Sequence, residues 1–133
     1  MQIENILLQM GARNIAKQYD DKMQIESIMF SLRRGESDVP FKLPARKEPI
    51  KKLFLKQYRR PTAVQDKNAD EQAARTAWKN VKEWVELQAA MVQLEQVEVM
   101  EVFLPYVFIG DQNKTFYQVI KDQNFKQLAS HGE

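Results

Sequence analysis

Between Ala69 and Leu104 the apolar residues fall into two neighbouring stripes, and a chain carrying such a segment must surround one long helix on more than one side. Trp78, Val81, Val85 and Val92 make the first stripe, and Trp84, Leu87, Met91 and Leu94 the second. Apolar residues returning every three or four positions mark one face of a helix. Two adjacent stripes widen that face beyond a coiled-coil seam, so the helix is expected to pack on a sheet as well as on other helices. Asn68 with Glu71 reads as a capping box at its start, and Pro105 as its end or a kink. Glu98 continues the line of Met91 and Leu94, so the helix end is expected to emerge from the core.

The chain ahead of this helix changes period twice. Ile3, Ile6, Leu7 and Met10 predict a short amphipathic helix over 2–10 stopped by Gly11. Residues 13–19 and 23–32 then read as two strands joined at Asp20-Asp21-Lys22. In the second strand Met23 and Ile25 share one face and Ile28, Phe30 and Leu32 the other, which places a bulge or two-sided burial near Glu26-Ser27. After a turn at 33–38, Val39, Phe41 and Leu43 alternate as a third strand, and Pro40 inside it requires an edge position. Pro49 suits the first turn of a helix reaching Arg60, with Ile50, Leu53, Phe54, Gln57 and Tyr58 on its buried face. Past the long helix, Thr115 with Gln118 predicts a last short helix burying Phe116, Val119 and Ile120. A hairpin from 107–109 to 115–117 is the alternative there. The expected fold is α+β: an N-terminal helix, a three-stranded antiparallel sheet, then three helices of which one is long and amphipathic. A length of 133 residues suits one domain spanning 1–133, with 128–133 a frayed tail.

Charge is segregated along the chain although the total is only +2. From Arg33 to Arg60 ten Lys/Arg face three Asp/Glu, a net of +7, whereas from Asn68 to Leu104 three face seven, a net of −4. A basic block attracts phosphates. On the helix after Pro49, Lys52, Lys56 and Arg59 are expected to point outward, with Arg46 and Lys47 just ahead of it and Arg33 and Arg34 in the hairpin turn. If turn and helix share a side, these seven form one patch able to follow a nucleic-acid backbone. Phe41, Phe54 and Tyr58 are candidate stacking platforms, although their spacing fits burial better. A solvated surface that only keeps the protein soluble is the competing reading.

Other chemistry finds little support. The chain has no cysteine, which removes disulfides, thiolate zinc sites and cysteine nucleophiles and suits a reducing compartment. The one histidine, His131, lies in the tail, so no Ser-His-Asp set and no Glu-x-x-His metal motif is available. The glycines are scattered and form no phosphate loop. Glu83 and Glu86, and Glu95, Glu98 and Glu101, recur at three-residue spacing and read as a solvated helix face. No enzyme activity, metal or cofactor is expected. The N-terminus has no signal-peptide pattern, and the apolar stretch at 97–109 is too short and too charged to span a membrane, so a cytoplasmic protein is expected. Trp84 and Leu87, with Tyr58, Tyr106, Glu95, Glu98 and Glu101, are the candidates for a protein interface, including a homo-oligomer through the long helix.

The segments FKLPA at Phe41–Ala45, AWKNVKEWVE at Ala77–Glu86 and EVFLPY at Glu101–Tyr106 are similar to those of small standalone proteins encoded by tailed phages and prophages. The likeness runs from Gly11 to about Ile120. It implies a product acting in bacterial host cytoplasm, where handling phage DNA and blocking a host defence system are common roles. No site residue comes with it. The expected function is therefore non-enzymatic binding of nucleic-acid phosphates, DNA or RNA, by the basic surface. The alternative is an anti-defence inhibitor, which binds a bacterial host defence protein in the manner of an anti-CRISPR or sequesters a nucleotide signal.

Overall fold

The computed structural model describes residues 2–129. Helix α1 (Gln2–Gln9) buries Ile3 and Leu7. It closes as the sequence predicts: Gly11 takes φ +101°, and the Ala12 and Gly11 N–H groups donate to the carbonyls of Leu7 and Leu8 at 2.9 and 3.1 Å. This is a Schellman cap, which needs a left-handed residue that glycine supplies without a Cβ clash.

Strands β1 (Arg13–Tyr19), β2 (Ile25–Arg34) and β3 (Ser37–Pro44) form an antiparallel sheet in that order. Gln18 faces Ser27 and Tyr19 faces Ile25, so Glu26 is the extra residue of a bulge at the expected face switch. The bulge lets Ile25 and Ile28, both apolar, point to useful sides of one strand. Met23 is not in the strand. It sits at φ +63° in the β1–β2 turn and is exposed, because the Asp20 carboxylate accepts the N–H groups of Lys22 and Gln24 at 2.9 and 3.0 Å and winds the chain there. β3 is an edge, as Pro40 requires, and among the described residues its free side carries a single bridge, from Phe41 to Val107.

Phe30 and Phe41 are cross-strand partners, stacked with ring centroids 5.2 Å apart. Phe103 meets both edge-on at 5.1 and 6.2 Å, and Trp84 meets Phe103 at 5.8 Å. Together with Ile28, Leu32, Leu43, Val85, Ile3 and Leu7 these rings form the core. Each such side chain contributes about 1.5–3 kcal/mol by leaving water. Trp78 packs beside it and donates its indole N–H to the Ile25 carbonyl at 2.9 Å, at the bulge.

The helical half differs from expectation at three boundaries. α2 spans Glu48–Leu55 rather than reaching Arg60, and buries none of its residues; Leu53, expected inside, is 61% exposed. α3 spans Ala63–Gln93, opening six residues earlier than Asn68–Glu71 suggested. The operative capping box is Thr62–Gln65, whose reciprocal bonds are 3.1 and 3.0 Å, directly after Pro61. α3 also stops eleven residues short of Leu104. Glu95 adopts φ +59°, and the N–H groups of Gln96 and Glu95 donate to Met91 and Val92 carbonyls at 2.9 and 3.0 Å, a second Schellman cap with glutamate where glycine is usual. The chain then resumes as α4 (Val99–Phe103), a 3₁₀ turn holding Pro105, and the two-residue strands β4 (Phe108–Ile109) and β5 (Lys114–Thr115). Thr115 pairs with Phe108 and caps α5 (Phe116–Asp122) with Gln118, so hairpin and helix are both present, in series. Four helices rather than three follow the sheet. Most of the tail expected to fray, 130–133 with His131, lies outside the described residues.

Candidate nucleic-acid interface

α2 lies on the first half of α3 with Ile50, Phe54 and Leu55 half-buried and no side chain fully so. An ionic attachment adds to these contacts. Asp70 occupies the inward face of α3 and is 2% exposed. Its Oδ2 accepts the Lys47 ammonium and the Gln24 side-chain amide, each at 3.0 Å. Its Oδ1 lies 3.4 Å from the Lys51 ammonium and 3.9 Å from that of Lys22, with no hydrogen bond of its own. Lys47 also reaches Asp20 at 3.4 Å and bonds the Gln24 amide oxygen, and Lys51 reaches Asp66 at 3.3 Å. One buried carboxylate therefore ties together the β1–β2 turn, the start of α2 and the start of α3.

Protonation follows from this arrangement. Burial pushes the Asp70 carboxyl up, but hydrogen bonds from Lys47 and Gln24 and the nearby ammonium charges outweigh it and hold the group below the ordinary aspartate range. Asp20 is lowered chiefly by the Gln24 and Lys22 backbone N–H groups, with Lys47 adding to the effect. Burial works against the charges of Lys47 and Lys51, yet their carboxylate partners raise both above the usual lysine value. Asp70, Asp20, Lys47 and Lys51 all stay ionised at neutral pH.

The seven expected phosphate ligands separate into three groups. Lys52, Lys56 and Arg59 are exposed, with Arg46 and Arg60 also in solvent; among the described residues none of these five is held in an ion pair. Lys47 is committed to Asp70 and Asp20. Arg33 and Arg34 lie at the far end of β3: Ser37 pairs with Arg34 and Pro44 with Ser27, so seven residues of extended chain, about 23 Å, separate the hairpin turn from the approach to α2. Arg33 is further occupied by the Gly35 carbonyl at 3.1 Å and Asp38 at 3.8 Å. The single patch joining turn and helix does not form. Of the stacking candidates, Phe41 is fully buried, and Phe54 and Tyr58 are half-buried.

The interface candidates divide similarly. Trp84 is half-buried between Phe103 and Tyr106, whose ring is 6.0 Å away, so both aromatic residues are occupied within the chain. Leu87 is 58% exposed. Glu95, Glu98 and Glu101 are exposed, in the turn after α3 and at the start of α4. Among the described residues no group of three side chains is placed to hold a metal, and no helix is long and apolar enough to cross a membrane. A cleft of about 560 Å³ beside the Asp70 cluster mixes four carboxylates, Asp20, Asp21, Glu26 and Glu48, with three cations, Lys22, Arg46 and Lys47.

Comparison with protein-family models, curated proteins and solved structures finds no match to this chain. The site's chemistry therefore rests on its own residues. The sequence reading passed over Lys51 and Asp70. Asp70 was recognisable in principle: it lies seven and eleven positions before Ala77 and Val81 on the inward track of α3, and a charge on a buried helix face demands partners.

Proposed function

We propose that this protein binds nucleic acid without chemistry, through the phosphates, using the cations on and around α2. The observation that carries the reading is the division of labour among the lysines. Lys47 and Lys51 are neutralised by carboxylates of the chain, whereas Lys52, Lys56 and Arg59, with Arg46 and Arg60, carry unpaired charge into solvent on the same short segment. Unpaired surface cations keep condensed phosphates attractive, because no internal partner must be displaced. Without a groove-reading helix or β-ribbon motif, binding is to backbone rather than base, and so weakly sequence-dependent. Arg33 and Arg34 provide a separate, minor contact at the other end of the sheet. In this reading the protein works in the cytoplasm of a bacterial host, on DNA or RNA.

Electrophoretic mobility with single- and double-stranded DNA and RNA is the test. Affinity is expected to fall roughly 40-fold between 50 and 200 mM salt if three phosphates are neutralised. The triple change Lys52→Glu, Lys56→Glu, Arg59→Glu is expected to abolish binding with the helical circular-dichroism signal intact. Wild-type protein that ignores every one of these nucleic acids at 50 mM salt would refute the reading.

A further inference from the structure

The end of the molecule beyond the Asp70 cluster has the opposite chemistry. From Glu83 to Asn113 there is no lysine or arginine, against six Asp/Glu. Within this span Glu83, Leu87, Ala90 and Leu94 stand at i, i+4, i+7 and i+11 on α3, and all four are exposed. Such spacing places them on one face of a helix. Leu87 and Leu94 are 58% and 69% exposed, two large aliphatic side chains two turns apart with only an alanine between them. Glu86 borders the same stripe. Its nearest cation, Lys82, is 3.4 Å away on the preceding turn. At the other end the stripe runs into Glu95, whose left-handed backbone turns the chain, and into a notch of about 500 Å³ lined by Glu95, Gln96, Val97, Glu98 and Glu101.

We infer that this stripe is a docking face for a cationic amphipathic helix of another protein, with two apolar anchors on Leu87 and Leu94 and Lys or Arg side chains reaching the carboxylates at both ends. Charge decides the occupant. Phosphates and anionic membrane surfaces are disfavoured by a rim whose carboxylates outnumber the cations Lys79 and Lys82 at its start. A second copy meeting the face about a two-fold axis would bring two surfaces rich in carboxylates together, at a cost. A basic helix has complementary charge at the rim and aliphatic side chains at the centre, the usual division of an interface. The stripe from Glu83 to Leu94 is about 16 Å long, so the buried area is small and the complex weak and exchanging. The face is separate from α2, and the proposal stands whether or not nucleic acid binds there.

A labelled 18-residue helix of leucine and lysine, with leucines at helical spacing, tests it by fluorescence anisotropy. Controls are the same composition with the leucines scattered and the leucine–glutamate counterpart. The patterned basic peptide is expected to bind the intact protein at micromolar concentration, and neither control to do so. Leu87→Ser with Leu94→Ser should weaken binding at least tenfold, as should Glu83→Gln, Glu86→Gln, Glu95→Gln and Glu98→Gln together, while Lys52→Glu with Lys56→Glu leaves it unchanged. Absence of binding, equal binding of the scattered peptide, or indifference to the leucine changes would each overturn the inference. So would light scattering in which the protein alone grows in mass with concentration and loses that growth on Lys52→Glu with Lys56→Glu, since the occupant would then be α2 of a second copy.

Discussion

The first half of α3 meets its neighbours through Asp66 and Asp70 against Lys47 and Lys51, with only the small side chains of Ala69, Ala73 and Ala77 buried beside them, whereas its second half meets the core through Trp78, Val81, Trp84 and Val85. One helix thus uses two attachments of different physics. Apolar contact around Phe103 is undirected and additive, and gains with every methylene removed from water. The ionic attachment must first strip water from Asp70, and the partners' attraction largely offsets that cost instead of adding much stability. What it provides is position: a carboxylate with two ammoniums at 3.0 and 3.4 Å admits few placements of α2. The difference teaches that α2 is located by charge and the fold is held by the aromatic core, so the two can be disturbed separately.

The sharpest way to break this comparison is at the hub of the rings. Phe103→Ala removes edge contacts to Phe30, Phe41 and Trp84 and leaves a cavity, and should cost about 4 kcal/mol in urea unfolding. A loss below 1 kcal/mol would mean the core does not depend on it. Asp70→Ala is expected to cost somewhat less, up to about 3 kcal/mol, because Lys47 and Lys51 lose their buried partner and keep only Asp20 and Asp66. Its signature is local: amide exchange should quicken in α2 well before the amides of β2 respond. Uniform quickening would show that α2 and the core form one unit after all.

Acid titration sharpens the same contrast. Asp70 and Asp20 have folded-state values below the ordinary 3.8, so their contribution is fully present above that value and is lost as pH falls through the lower folded ones. Unfolding free energy should drop below about pH 4, and the drop should shrink in Asp70→Asn. Lys47 and Lys51 act at the other end: their contribution is complete below 10.5 and is lost as pH rises past their raised values. A Phe103→Ala protein should keep both pH limbs while losing stability throughout. The smallest effect is at the end of α3, where Glu95→Gly relieves a left-handed residue and should gain about 0.5–1 kcal/mol in the same assay. No gain would mean that the glutamate side chain has contacts worth as much as the strain it imposes.

Local pattern was enough to read the order of elements as far as α3, the edge position of β3, the bulge beside Ser27, the Gly11 cap and the Thr115–Gln118 cap, because each depends on residues within a few positions of one another; α4 was missed inside the segment read as one long helix. The register of β2 on β3, with Phe30 opposite Phe41, came from the structure. The two ends of α3 were misread because the signals there are weak. Thr62–Gln65 and Asn68–Glu71 are equally plausible boxes on paper, and a glutamate gives no warning that it will serve as a left-handed cap.

The candidate site was legible only as composition. The sequence by itself determined that a basic stretch precedes an acidic helix, that Lys52, Lys56 and Arg59 share a spacing, and that no cysteine or histidine chemistry accompanies them. Which cations keep their charge for a partner was decided by the tertiary structure alone, since ion pairing depends on residues 19 to 48 positions apart meeting within 4 Å. Folding brought Asp70 under Lys47 and Lys51 and carried Arg33 and Arg34 to the far end of a strand. Charge along a chain is additive, but charge in space is set by contacts that no local pattern encodes.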